Sequence, residues 1–195
     1  MTEWTAADLP SFAGRTVIVT GANSGLGLIT ARELARVGAR TILAVRNVDK
    51  GTAAAADMTG DVEVRRLDLQ DLSSIRDFAE GFTLSGDRVD VLVNNAGIMA
   101  VPYALTADGF ESQIGTNHLG HFMLTGYFMD LLKRSKGRVV NHSSGCASQL
   151  VLRLMQFASA HPGAKLAPTV NLTDWNWRDR QYCPWAAYSQ SKRAN

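Results

Sequence analysis

The sequence predicts an α/β fold of the doubly wound kind, a parallel sheet with helices on both faces. Three observations predict it: short β-branched runs alternate with stretches of helical periodicity, the links between them are brief, and glycine or polar residues gather where each run ends. Strand and helix in strict alternation favour parallel strands joined by right-handed crossovers. At 195 residues the chain suits one domain, and residues 1–195 are read as a single unit.

The first run, Arg15 to Thr20, is apolar and β-branched between turn residues, as expected of a strand buried on both faces. From Gly25 to Val37 the apolar positions Leu28, Ala31, Leu34 and Ala35 fall on one helical side, and Gly38 follows as a C-cap. Thr41 to Val45 is the second strand, Asn47 to Met58 an alanine-rich helix, and Val62 to Leu67 the third strand. Asp71, with Ser73 and Ser74, opens a helix that buries Leu72, Ile75 and Phe78. Val89 to Val93 is the fourth strand. A long helical segment then runs from about Gly109 to Lys133, and Gly137 introduces a fifth strand from Arg138 to His142.

Composition narrows the function classes. With 46% hydrophobic and 19% charged residues and a net charge of +2, the chain is neither disordered nor fibrous. Its basic residues are scattered rather than striped, which argues against nucleic acid as a partner. Cys146 and Cys183 lack the spacing of a metal or redox site and are read as separate thiols; no metal is expected. Glu3 and Asp8 interrupt the N-terminus, and no apolar stretch reaches the roughly 18 residues of a membrane span, so a cytoplasmic protein with no transmembrane segment is expected.

A sheet of this type binds ligands at the carboxyl ends of its strands, where the strand order reverses. The first strand exits into Thr20-Gly21-Ala22-Asn23-Ser24-Gly25-Leu26-Gly27, directly before a helix. In that context the first glycine allows the tight exit, the second removes a Cβ from the path of a diphosphate, and the third allows close packing, while first-turn amides face the anion. A dinucleotide is the expected ligand. The second strand exits at Arg46 with no carboxylate, so NADP(H) is preferred over NAD(H) through pairing with a 2′-phosphate, unless Arg46 is merely surface. Asp68, beside Leu69 at the third exit, either accepts from the adenine amine or has a helix-capping or surface role. At the fourth exit Asn94, Ala96 and Gly97 combine a loop-fastening side chain with small residues that permit backbone approach.

The fifth strand ends at Ser143 and Ser144, and Tyr188 and Lys192 stand four apart on one helical face. Hydride addition to a carbonyl leaves an oxygen that needs a proton. A tyrosine beside a lysine ammonium can supply it, since nearby positive charge favours the phenolate. Tyr-x-x-x-Lys alone is frequent by chance; its weight comes from the serine and the glycine-rich turn upstream. Asn117, with Gly115 and Gly120 beside it, is poorly placed within a helix.

On these residues, Thr20-Gly-x-x-x-Gly-x-Gly27, Asn94-Asn-Ala-Gly97, Asn117, Ser144 and Tyr188-x-x-x-Lys192, the chain resembles the short-chain dehydrogenase/reductase family. Asn23-Ser-Gly-Leu-Gly27, Leu105 to Glu111 and Asn117-His-Leu-Gly-His-Phe122 resemble its retinol-dehydrogenase-like branch, which includes the WW-domain-containing oxidoreductase and bacterial relatives. The resemblance implies a Rossmann-type domain that interconverts an alcohol and a carbonyl compound, with a small-molecule substrate for which the branch suggests lipophilic character; full-length members are often homo-oligomers. It implies that Tyr188 is the general acid/base, that Ser144 polarises the substrate carbonyl and that Lys192 binds the nicotinamide ribose and tunes Tyr188. It also implies that Asn117 holds a relay water at a helix distortion.

Two departures qualify the match. Tyr188 follows Ser144 by 44 positions, longer than is usual, so residues 145–185 are read as an irregular insertion containing the apolar stretch Leu150 to Phe157 and Trp175, Trp177 and Trp185. Those tryptophans either wall a substrate pocket or pack beneath the loop. His142 stands where a small apolar residue is usual and is given no catalytic role. The sequence also stops three residues past Lys192, so the C-terminal strands of the family fold are expected to be missing and the fifth strand to be an apolar edge. A fragment, or a truncated dinucleotide-binding chain without turnover, is the alternative to an active enzyme.

Overall fold

A computed structural model describes residues 4–147 and 170–195. Five parallel strands, β1 (Thr16–Thr20), β2 (Arg40–Val45), β3 (Val62–Arg66), β4 (Val91–Asn94) and β5 (Arg138–Asn141), lie in the order β3-β2-β1-β4-β5. The order reverses between β1 and β4, whose register pairs Ile18 with Leu92. That reversal is the crevice the sequence predicts.

Alternation along β1 assigns the two faces. Ile18, with Ile42 and Leu92, packs under α3 (Leu72–Ser85) and the later helix α5 (Gly120–Ser135), where Phe78, Phe82 and Phe128 meet edge to face or tilted. Val17 and Val19, with Leu43 and Val45, pack under α1 (Gly25–Arg36), with Ala55 of α2 (Val48–Ala55) against the same cluster. Burial on both faces explains why these runs read as continuously apolar.

Boundaries shift for identifiable reasons. β4 begins at Val91 rather than Val89 because the Asp90 carboxylate takes the Thr16 amide at 2.8 Å, replacing a backbone rung. α2 ends at Ala55, short of Met58, whose amide closes a tight turn on Ala55. The long helical run starts at Ser112 rather than Gly109. Gly109 sits in a left-handed turn at φ 81°, and Glu111 caps α4 (Ser112–Ile114) by accepting from the Gln113 and Ile114 amides. A π turn (Gly115–Leu119) then leads into α5, the Gly120 amide reaching back to the Gly115 carbonyl. The distortion expected at Asn117 is therefore present.

β5 is exposed along its whole length, with Val140 at 49%. Among the described residues it is the outer strand of the sheet, an edge as the sequence predicts. The last helix, α6 (Pro184–Ala194), has proline in its first turn, where the missing N–H costs nothing. Leu150 to Phe157, and most of the stretch read as an insertion, lie outside the described residues. Among the described residues no helix is long and apolar enough to cross a membrane.

Candidate active site

The carboxyl ends of the first four strands open into a cleft of about 460 Å³. Gly21, Asn23, Ser24, Leu26 and Gly27 line it from β1, Arg46 from β2, Asp68 and Leu69 from β3, and Ala96 and Gly97 from β4. These were all read from the sequence, and one cavity gathers them.

The glycines explain how the cradle closes. Gly21 leaves β1 at φ 65°, and a Cβ there would lie 2.9 Å from the Ala96 Cα. Gly27 has an equally close neighbourhood: its Cβ would run into the Asn95 amide nitrogen and lie 2.8 Å from the Gly21 carbonyl oxygen. The third glycine thus packs α1 against the loop after β4. Gly25, read from the sequence as facing a diphosphate, is exposed at φ 56° with nothing within 4 Å of a built Cβ, and it is not among the residues that line the cleft. Ser24 starts α1 without a side-chain cap, leaving the first-turn amides to find partners outside the helix.

Asn94 and Asn95 divide their work differently from the sequence reading. Asn94, expected at the cofactor, is buried away from the cleft and donates to Thr125 and Asn141, tying β4 to α5 and β5. Asn95 lines the cleft and donates from Nδ2 to the Thr20 carbonyl at 2.8 Å. Strand alternation could have separated them: Asn94 is the last residue of β4, and Asn95 the first free to turn back over β1. Lys50, also unanticipated, lines the cleft beside Arg46 and Asn47, one turn into α2. Both cations are exposed. The Asp68 carboxylate accepts from the Gln70 amide, so part of its capacity closes the local turn.

A second cavity of about 220 Å³ shares Leu26, Asn95, Gly97 and Ile98 with the first and is closed by Ser143, Tyr188 and Lys192. Tyr188 and Lys192 are buried on successive turns of α6. Lys192 donates from Nζ to the His142 carbonyl at 2.7 Å, and its burial lowers the ammonium pKa. His142 therefore contributes through its backbone. A Cβ on Gly97 would crowd the Asn117 Oδ1 at 3.2 Å and make an ordinary contact with the lysine nitrogen at 3.5 Å.

The serines also part company. Ser143, not Ser144, lines this cavity, and it donates to the Lys192 carbonyl at 2.7 Å. The Ser144 hydroxyl accepts from the Cys146 amide and lies outside the cavity lining. Asn117, in the π turn, spends its side chain on positioning. It accepts from the Ile98 amide and donates to the Ile98 carbonyl and, at 2.8 Å, to Ser191. Ser191 in turn donates to the Tyr188 carbonyl, so one chain of hydrogen bonds joins the loop after β4 to the helix that carries the tyrosine.

Gln113 makes a second joint that the sequence reading missed. Fully buried, it accepts from the Ala100 amide and donates to the Tyr182 hydroxyl and the Pro184 carbonyl. Nothing in a single glutamine announces this, because its partners are 69 and 71 positions away. Trp177 packs with Tyr182 and Ala186 beneath α6, under the Arg180 guanidinium. Of Trp175, Trp177 and Trp185 only Trp177 is buried in packing; the other two are exposed, none is among the residues lining the two cavities, and the Trp185 ring meets the Tyr188 ring edge-on at 6.4 Å.

Residues 15–166 match the family model described as short chain dehydrogenase. The chain belongs to the short-chain dehydrogenase family. It is 46% identical to human retinol dehydrogenase 13 over 187 residues, covering 93% of this chain and 51% of that protein. To human retinol dehydrogenase 11 it is 53% identical over 137 residues, covering 67% and 43%. The chain thus spans about half the length of these relatives. A crystal structure of an uncharacterized Mycobacterium paratuberculosis protein superposes with a TM-score of 0.81 at 60% identity, covering 98% of this chain and 62% of that one. A metagenomic short-chain oxidoreductase in complex with NADP superposes at 0.64 and 26% identity, covering 93% and 72%.

Proposed function

We propose that this short-chain dehydrogenase chain holds NADP(H) in the larger cleft and interconverts an alcohol and a carbonyl compound in the smaller one. The observation that carries the reading is the continuity of the two cavities, with Tyr188 and Lys192 at the far end of a glycine-lined floor. A dinucleotide fits the residues present: Gly21 and Gly27 keep the floor low, where added Cβ atoms would run into Ala96 and Asn95. Bound there, the nicotinamide supplies a hydride to the carbonyl carbon.

The chain's own residues do the rest. Tyr188 gives its phenolic proton to the developing alkoxide oxygen, and in the oxidative direction it takes that proton from the alcohol. Lys192, held by the His142 carbonyl, stabilises the phenolate that remains. Ser144 polarises the carbonyl once its hydroxyl turns from the Cys146 amide; Ser143 already faces the cavity. Asn117 fastens α6 through Ser191 and offers its backbone carbonyl to a relay water. Asp68 and Leu69 hold the adenine. Leu26 and Met99, both largely exposed at the cavity rim, suit an apolar substrate, in keeping with relatives named retinol dehydrogenases.

Preference for the phosphorylated cofactor rests on Arg46 and Lys50, two cations at an exit without a carboxylate of its own. Measuring NADPH and NADH dissociation constants and carbonyl-dependent NADPH oxidation for wild type and Arg46→Ala tests both parts. The variant is expected to lose about tenfold in NADPH affinity with NADH affinity unchanged. An unchanged preference removes Arg46 from the assignment. A second reading, a dinucleotide-binding chain without turnover, is favoured by the Ser144 hydroxyl being engaged at Cys146. Binding without oxidation of NADPH by any carbonyl would select it.

A further inference from the structure

The imidazole of His121 is buried, titratable and unused by the chemistry above. Its Nδ1 lies 3.1 Å from the Asn117 carbonyl oxygen and its Nε2 lies 2.9 Å from the Thr20 hydroxyl. A carbonyl can only accept, so Nδ1 carries the hydrogen. Burial pushes the imidazole pKa down to about 4, against which the Asn117 bond works; the charges of Lys192 and His118 push the same way as burial. At neutral pH the ring therefore has one proton, and Nε2 is an acceptor.

The Thr20 hydroxyl supplies what Nε2 needs. Its oxygen already accepts from the Asn95 amide at 3.0 Å and the Ala96 amide at 2.9 Å, which uses both lone pairs. Its single hydrogen has two candidate acceptors, Nε2 at 2.9 Å and the Val93 carbonyl at 3.4 Å. The shorter contact decides. Every donor and acceptor in the group is then satisfied in one arrangement only, which is the condition under which a buried polar network fixes geometry.

We propose that His121 is a positioning residue of the dinucleotide cleft, locking the Thr20 hydroxyl so that it holds the Asn95–Ala96 backbone at the exit of β1 in register with Asn117. Without the imidazole acceptor the hydroxyl rotates toward Val93, and its lone pairs leave the two amides. The Asn117 carbonyl loses a donor in the same event. The inference rests on the dinucleotide reading of the cleft, because Asn95 and Ala96 line it.

The test is a double-mutant cycle on NADPH binding, followed by cofactor fluorescence, with folding checked by circular dichroism. His121→Phe fills the space without either hydrogen bond and is expected to weaken NADPH binding about tenfold. His121→Gln, which has one donor and one acceptor, is expected to restore affinity to within about threefold. Thr20→Val is expected to lose at least as much as His121→Phe, and the double variant no more than Thr20→Val alone, since both act through one hydroxyl. Losses that multiply in the double variant would reveal separate structural damage and overturn the proposal. Wild-type affinity in His121→Phe would overturn it too. If His121→Phe does not fold, the tautomer decides: ring-nitrogen NMR of the wild type is expected to show His121 protonated on Nδ1, and protonation on Nε2 refutes the wiring. A wild-type chain that binds neither NADPH nor NADH overturns the functional reading and takes this inference with it, whereas unchanged binding in His121→Phe overturns the inference alone.

Discussion

Tyr188→Phe is expected to lower carbonyl-reducing turnover by about 10²- to 10⁴-fold, the usual contribution of a positioned acid or base. Only the hydroxyl is removed. The ring keeps its buried place on α6 and its edge-on contact with Trp185, so the thermal midpoint should hold. NADPH affinity should hold as well, because the glycine-rich floor and Arg46 lie in the other cavity. A fall in kcat with an unchanged cofactor dissociation constant marks a group that acts in the transition state alone. Full activity in the variant would dismiss Tyr188 as the proton donor.

Gly21→Ala should damage both stability and binding. The added methyl meets two obstacles, a left-handed backbone at φ 65° and the Ala96 Cα at 2.9 Å, and backbone cannot swing aside as a side-chain tip can. Together they should cost about 2–5 kcal/mol, of which the backbone conformation accounts for about 1–2. Gly14→Ala separates the two parts. Gly14 is also left-handed, at φ 75°, but nothing lies within 4 Å of its missing Cβ. Denaturant unfolding should show the smaller loss at Gly14 and the larger at Gly21, and only Gly21→Ala should abolish NADPH binding. Equal losses at the two positions would mean that contact between the β1 and β4 loops is not what requires glycine.

What was legible in the sequence follows from what local pattern encodes. Strand runs, the glycine-rich turn and the Tyr-Lys pair are short-range signals, and β1, α1 and α6 stand where those signals put them. Asn117 was legible in part: Gly115 and Gly120 beside it mark a weakened helix, whereas the distortion itself came from the family resemblance and its π character from the structure. The choice between neighbours was harder. Asn94 and Asn95, like Ser143 and Ser144, are identical in type and adjacent in sequence, so only the end of the strand decides which turns inward. Gln113, Lys50 and His121 stayed hidden because their significance lies in distant partners: Pro184 for the first, a shared cavity for the second, Thr20 for the third. The tryptophans were ambiguous because an aromatic side chain serves packing and pocket walls equally well.

If the glycine-floored cleft holds a dinucleotide and Tyr188 protonates the oxygen in the cavity it runs into, this chain moves a hydride from cofactor to carbonyl carbon. Incubating the chain with NADPH deuterated at nicotinamide C4 and a panel of apolar aldehydes, then reading the alcohols by mass spectrometry, tests it most directly. One deuterium is expected on the carbinol carbon of the product, with the label lost when Tyr188→Phe replaces the wild type. NADPH that binds but passes no deuterium to any aldehyde, or a label undiminished in Tyr188→Phe, would contradict it.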